Sequence, residues 1–454
     1  MIAQSLTSGK PYRQIIRFAV PLFLGNLFQQ FYNMADAFLV SRFLGIDAFA
    51  GVSCTGGLTN LIVGFASGMT AGLSIPLAQS YGAKEFWRVK EHYIHNLLIS
   101  LATAVILTVF GLGTGDALLH ILRTPADIFS YASSYVQVIF GGILVSILYN
   151  FFANTLRALG DSRSPLNYLL IASGANILLD ILLIRFTSLG VRGAALATVL
   201  SQTISVILCA LKIARSAQVL SLKEFRFHLS GKLICGNLRM GVPMAFQASV
   251  ISLGVIFVQS ATNAMGTAAI AAYHAAQKID GVGVEPLRSL GMSMSTYTAQ
   301  NYGAKKYDRI LLGMRQCVLL SFLLSVLLGT VLCLGGRSLA VIFVGSGKAE
   351  ILDMAHMFLC IHGVLYFILA LLFDFRFALQ GLGNAMIPTI AGLMELVMHA
   401  YSAFVLVPKL EFLGASIETP LSWLGALIPP LVAWLIVRRK LIQLQNKNMK
   451  EKTT

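Results

Sequence analysis

A chain of 454 residues could supply two or three soluble domains, but 56% hydrophobic against 12% charged residues, with a mean hydropathy of +0.76, excludes a soluble fold. The formal charge of +15 suggests a nucleic-acid partner only until its placement along the chain is read. Apolar runs of about 20 residues recur almost throughout, the length that crosses a bilayer as a helix. Backbone polar groups in hydrocarbon must be satisfied within the segment, and the ten-residue alternation of a lipid-facing barrel is absent. The fold class expected is an all-α polytopic membrane protein of about twelve transmembrane helices.

The first predicted span, 15–40, contains Pro21 and places Gln29, Tyr32 and Asp36 on one helical face. The second, 48–76, carries Gly64, Gly68 and Gly72, two overlapping GxxxG patterns that allow close helix approach within the bundle. It ends in QSYGAK, where a glycine can close a helix with positive φ and Lys84 complements the helix C-terminus. Spans 95–114 and 130–157 follow; the latter repeats asparagine at i, i+4 as Asn150 and Asn154. In span 165–185, Ser173, Asn176 and Asp180 make another polar stripe, and in 191–213 Thr198 and Gln202 repeat the spacing. Residues 214–235, rich in Lys and Arg, read as a cytoplasmic linker whose SLKEFRFHLSGKL pattern is either an interfacial amphipathic helix or a solvated connector.

The second half runs through spans 236–262, 268–298, 312–335, 353–379, 387–408 and 415–437, then a basic tail over 438–454. Span 268–298 holds Lys278, Asp280, Glu285 and Arg288, with Glu285 and Arg288 spaced as an ion pair. Span 353–379 holds His362, Tyr366, Asp374 and Arg376; either Arg376 or Arg288 is placed to neutralise Asp374. Span 387–408 sets Glu395 four residues before His399, which reads as a structural pair or a proton relay. His362 with Tyr366 reads as packing.

The two halves repeat. QSYGAK at 79–84 returns as QNYGAK at 300–305, an offset of 221. Pro21 pairs with Pro243, Gly160 and Pro165 with Gly383 and Pro388, and Gly193-Ala194 with Gly414-Ala415, at offsets of 221 to 223. Six spans per repeat is an even number, so the halves run parallel: an N-terminal lobe at 1–213 and a C-terminal lobe at 236–437. With both termini cytoplasmic, most of the 34 Lys and Arg fall on the cytoplasmic side. The charge therefore sets topology, and no nucleic-acid partner is expected. The six cysteines show no CxxC spacing and suggest neither disulfides nor a metal framework. The opening MIAQSLTSGKPYRQ lacks the pattern of a cleaved leader.

Several segments then resemble a known family. PLFLGNLFQQFYNMADAFLVSRFLG, the QSYGAK/QNYGAK pair, RALGDSRSPLNY and GVRGAALATVLSQ are, in this order and with this duplication, similar to the multidrug and toxic compound extrusion (MATE) family over about residues 10 to 440. The resemblance implies a two-lobed antiporter at the plasma membrane that exports small amphipathic or cationic compounds by alternating access, in exchange for H+ or Na+. No enzymatic activity is expected, because no intramembrane metal motif or nucleophile–base signature stands out; no cofactor beyond the coupling ion and a functional monomer in the lipid bilayer are expected. By the same resemblance, Tyr32, Asp36, Asn150, Asn176, Asp180 and Thr198 match the N-lobe cation site of the DNA-damage-inducible branch, with Asn154 beside them. Members with a second carboxylate site pair an acid in the seventh span with one in the tenth; here Ser252 stands at the former position, which disfavours a sodium site around Asp374.

Read from the residues alone, a carboxylate in hydrocarbon costs at least about 2.5–3.5 kcal/mol, so each requires a reason. Two close carboxylates resist ionising together and can hold a proton, and the same oxygens with amide carbonyls and hydroxyls can replace water around Na+; residue types leave both open. Neither Asp36 nor Asp180 has an acid at the repeat-related position, Val258–Gln259 or 401–403. That asymmetry favours function over scaffold. Gln29, Asp374, Glu285 and Glu395 are further candidates for a polar cavity. The alternatives are a lipid-linked glycan flippase, which the excess of acids over bases inside the spans disfavours, and a passive channel or receptor.

Overall fold

The computed structural model describes residues 5–122, 124–216, 218–220, 228–263 and 265–453. Among these there is no strand. The helices are α1 (Pro11–Leu44), α2 (Ile46–Cys54), α3 (Gly56–Gly82), α4 (Phe86–Ile121), α5 (Ala126–Gly141), α6 (Ile143–Ala158), α7 (Arg163–Arg185), α8 (Val191–Ser216), α9 (Gly231–Asn263), α10 (Thr267–Gly303), α11 (Tyr307–Val344), α12 (Ala349–Gly381), α13 (Met386–Tyr401) and α14 (Val407–Thr453). Taking α2 with α3, and α5 with α6 across their 48° bend, leaves twelve rods. Among the described residues, seven helical segments, or eight with the bent pair, are long and apolar enough to cross a membrane by length and composition. Their outward faces are apolar: Val105, Ile106, Val109 and Phe110 on α4 and Leu319, Phe322, Leu323, Val326 and Leu327 on α11 are all exposed. Such a surface belongs against lipid, not water.

The helices outrun the hydropathy-derived spans at most ends, because a helix continues past the hydrocarbon wherever its backbone ladder is not interrupted. The basic tail is an instance: α14 carries it as helix to Thr453, and Asn448 donates to the Lys305 carbonyl at 3.3 Å. The amphipathic stretch expected in the linker lies mostly outside the described residues.

Backbone geometry repeats as the sequence does. Gly45 and Gly266 have φ of 89° and 92°, Gly160 and Gly383 of 92° and 86°, and Lys84 and Lys305 of 60° and 55°. Gly190, with φ of 55°, is matched by Glu411, with φ of 50°. In QSYGAK and QNYGAK it is thus the lysine, not the expected glycine, that turns left-handed. Gly82 and Gly303 remain the last helical residues, and the chain reverses two residues later, where Glu85 N–H reaches the Ser80 carbonyl and Lys306 N–H the Asn301 carbonyl. The helix closes by this wrapped bond, as in a Schellman turn. Close approaches repeat too: a Cβ on Gly193 would lie 3.0 Å from the Leu183 carbonyl oxygen, and one on Gly414 2.5 Å from that of Leu406.

Contacts divide the chain into two compact units: an N-terminal unit of Met1–Ser5 and Leu24–Ser249, and a C-terminal unit of Leu6–Phe23 and Val250–Thr454. The division follows the repeat except in the first helix of each half, where α1 and α9 each change unit a few residues beyond Pro21 and Pro243. Within the N-terminal unit, α3 seats the first half of α9. A Cβ on Gly68 would overlap the Met244 carbonyl, and one on Gly72 would lie 2.6 Å from that of Met240. The GxxxG face therefore packs inside its bundle, where small residues give the backbone contact that lipid offers no hydrophobic force to replace. Within the C-terminal unit, the QNYGAK end of α10 holds the start of the chain. Gln300 accepts from Leu6 N–H at 2.9 Å, Lys306 donates to the Thr7 carbonyl at 2.8 Å and Arg309 to that of Gly9 at 2.8 Å.

Candidate functional site

In the N-terminal unit, four helices bring chemistry together: α1 supplies Tyr32 and Asp36, α5 Tyr135, α7 Asn176 and Asp180, and α8 Thr198. The i, i+4 spacing that put Tyr32 with Asp36 and Asn176 with Asp180 on common faces is what lets two helices present two polar groups each. The Asp36 and Asp180 carboxyls lie within interaction range of each other, the Tyr32 hydroxyl reaches Thr198, and Tyr135 stands in the electrostatic range of both acids. Asp36 is 9% exposed, and Asp180 and Asn176 are fully buried. Sequence reading missed Tyr135; it lies on the short α5, whose stripe is mostly aromatic and apolar, so nothing in its pattern marked it.

Buried polar atoms almost always have partners. Here Asp180 Oδ1 and Oδ2, Asp36 Oδ1, and both side-chain atoms of Asn176 have no hydrogen-bond partner. Ionised carboxylates only accept, so a contact between two of them becomes a hydrogen bond only when one carries a proton. The same set of oxygens, with the Asn176 carbonyl, suits a small hard cation that takes oxygen ligands.

The remaining sequence candidates sit elsewhere or are otherwise engaged. Asn150 donates to the Ser146 carbonyl of its own helix at 2.8 Å, and the Ser146 hydroxyl donates to Gln202 at 2.6 Å. Asn154 bonds Thr70 at 3.2 Å and Arg157 at 3.1 Å. The i, i+4 stripe of α6 thus divides between two networks. Gln29 is exposed.

In the C-terminal unit, Glu285 is paired with Arg288 at 3.2 Å, as its spacing implies. Asp374 is not neutralised by an arginine as expected: the Cys317 thiol and Ser321 hydroxyl of α11 donate to its Oδ1 at 3.3 and 3.1 Å. Arg376, two residues on, points to another side of α12 and binds Glu395 at 2.7 Å. Consequently Glu395 is held by Arg376, while His399 is bonded to Glu418 of α14. Glu418 is a fully buried acid within the last predicted span that the sequence reading passed over; its place in the apolar run after Gly414 was the available signal. Asp280, read beside Lys278, is instead bonded to His362 and Tyr366, so those two residues do more than pack.

Comparison with known proteins adds a separate line of observation. The MatE family model matches the chain twice, over residues 21–182 and 243–405, each match opening at one of the repeat-related prolines. The probable multidrug resistance protein YoeA of Bacillus subtilis is 28% identical over 94% of both chains. The probable multidrug resistance protein NorM of Thermotoga maritima is 26% identical over 91% of this chain and 88% of its own. Among solved structures, a MATE protein in the bent conformation superposes with a TM-score of 0.88 at 23% identity, covering 98% of this chain and 99% of the other. A MOP superfamily transporter from Pyrococcus furiosus gives 0.87 at 23%, with the same coverage.

Proposed function

The chain belongs to the MatE family of membrane transporters, and from that premise we propose that it is a multidrug efflux antiporter driven by an inward H+ or Na+ gradient. The Asp36–Asp180 pair is its coupling site. Two relatives named as probable multidrug resistance proteins support multidrug efflux; the substrates proposed with it are small amphipathic or cationic compounds. The observation that carries the coupling site is the buried carboxylate pair of the N-terminal unit, in which Asp36 Oδ1 and both Asp180 oxygens have no hydrogen-bond partner. One proton, or one Na+ shared with Asn176 and the hydroxyls of Tyr32 and Thr198, completes the cluster. Loss of that cation leaves two adjacent carboxylates charged in a desolvated site, which is costly. Cation release is thereby linked to a rearrangement that hydrates or separates the acids, and alternating access between the two lobes is the motion that supplies it. The reading includes a plasma-membrane location, both termini on the cytoplasmic side, a monomeric working unit, and a place near the DNA-damage-inducible branch that rests on the site residues alone.

The test is efflux of ethidium, an organic cation, from proteoliposomes under imposed pH or Na+ gradients. The wild type is expected to move it with one of the two gradients. Asp36→Asn and Asp180→Asn are each expected to reduce gradient-driven efflux at least about tenfold, about 1.4 kcal/mol in barrier terms. Retention of coupled efflux by both variants would overturn the assignment.

A further inference from the structure

The C-terminal unit holds buried ionisable groups that the coupling site does not use. His362 on α12 stacks on Phe358, with ring centroids 3.9 Å apart, and meets Trp423 of α14 edge-on at 5.2 Å. Its Nδ1 lies 3.0 Å from Asp280 Oδ1 on α10, and Tyr366 donates its hydroxyl to the same oxygen at 2.8 Å. The other ring nitrogen, Nε2, is buried without a partner in a residue only 1% exposed. A second pair stands nearby in the chain of contacts: His399 Nδ1 on α13 against Glu418 Oε1 on α14, with the Thr419 hydroxyl donating to Glu418 Oε2 at 2.5 Å. Gly254 of α9 leaves the space the His399 ring fills, since a Cβ there would overlap it. Tyr273 of α10, packed edge-on against Phe358 at 5.6 Å, is within electrostatic range of both Glu418 and Asp280.

Charge bookkeeping gives this arrangement its meaning. Asp280, Glu395 and Glu418 are buried acids of this set, and among the described residues Arg376, bound to Glu395, is the buried arginine bonded to them. Glu395 also lies in the electrostatic range of His399. Among the described residues, the phenols of Tyr273 and Tyr366 and the Trp423 indole also face the pairs, with Lys278 two residues before Asp280 on α10; α9 contributes Gly254, and the polar groups of α11, Cys317 and Ser321, face Asp374. With both imidazoles neutral, two negative charges remain unpaired in a low-dielectric interior, which is unfavourable. With both protonated, the set is neutral.

We propose that His362–Asp280 and His399–Glu418 are two proton-binding pairs of the C-terminal unit, connected through Tyr273 and loaded with protons in the resting protein. Each pair takes one proton on its imidazole and becomes an imidazolium–carboxylate pair of zero net charge. His362 offers the open Nε2 lone pair for it. Loading is independent of the coupling-site reading; the effect of loading on efflux rests on that reading.

The test is a pH titration of the full-length protein in detergent, followed by NMR of isotope-labelled histidine side chains. His362→Gln and His399→Gln assign the two signals among the eight histidines. Both imidazoles are expected to carry their protons at pH 6 and to lose them on titration to high pH. Asp280→Asn is expected to move the His362 midpoint down by at least about one pH unit, a tenfold loss of proton affinity, and Glu418→Gln to do the same for His399. Tyr273→Phe should remove the smaller response of His362 to Glu418→Gln. Imidazoles that stay neutral at pH 6, or midpoints indifferent to loss of the partner acid, overturn the proposal. In proteoliposomes, the two histidine variants are expected to shift the pH profile of ethidium efflux; an unchanged profile in both removes the functional role. A wild type that moves no ethidium counts against the transport reading instead, and leaves the titration to decide the proton sites.

Discussion

At the scale of single residues, the decisive property is whether a buried polar atom has a partner. Asp374 is a deeply buried acid whose Oδ2 has no partner, yet two donors from α11 reach its Oδ1. Asp180 is equally buried, and neither of its oxygens is reached. The two acids look alike in sequence, each set in an apolar run, because partners arrive from other helices. Substitution should separate them. Asp374→Asn is expected to leave ethidium efflux within about threefold of wild type, while Asp180→Asn loses at least about tenfold; equal losses in a side-by-side assay would contradict the distinction. Gly68 makes a stability prediction at the same scale. Gly68→Leu forces a side chain into the Met244 carbonyl, an overpacking cost of about 1–3 kcal/mol, and should lower the detergent melting temperature by several degrees.

At the scale of elements, α14 begins awkwardly. A π-helical turn at Ser402–Leu406 precedes it, and Glu411 holds φ 50° and ψ −129° where two helices meet at a kink. The repeat places Gly190 at the equivalent position, with φ of 55°. A glycine accepts that conformation without cost, whereas a Cβ makes it strained by about 1–3 kcal/mol. Glu411→Gly is therefore expected to raise the apparent melting temperature, or to leave it unchanged if the added unfolded-state entropy cancels the relief; a clear fall would mean that the Glu411 side chain contributes contacts worth more than the strain. The bend between α5 and α6 falls at Gly142, whose φ of −87° is open to any residue. A Cβ there would press on Val199 of α8, so the residue that breaks the span is also the one that lets α8 approach.

At the scale of the whole molecule, the two units exchange the opening halves of their first helices. Leu6–Phe23 belongs to the C-terminal unit, and the start of α9 to the N-terminal one. Neither half of the sequence contains a complete unit. Co-expressed fragments divided within residues 221–227 are expected to co-purify, and either fragment alone to be lost to proteolysis; a stable, monodisperse N-terminal fragment by itself would contradict this. Deleting residues 1–9 should destabilise the QNYGAK end of α10, because Gln300, Lys306 and Arg309 lose the backbone groups they bind.

Sequence alone determined the class, the approximate spans, the internal repeat and the helical faces that carry Asp36 and Asp180. Each of these follows from local periodicity or from self-comparison, and hydrocarbon permits only one backbone solution for such runs. Which polar groups meet was decided by tertiary packing. Glu395 chose Arg376 over the His399 of its own helix, Asp280 chose His362 over Lys278, and Glu418 became the partner of His399. The spacing along one helix fixes only direction. Electrostatic partners in a desolvated bundle come from whichever neighbouring helix turns a complementary group inward, and that is a property of three-dimensional packing.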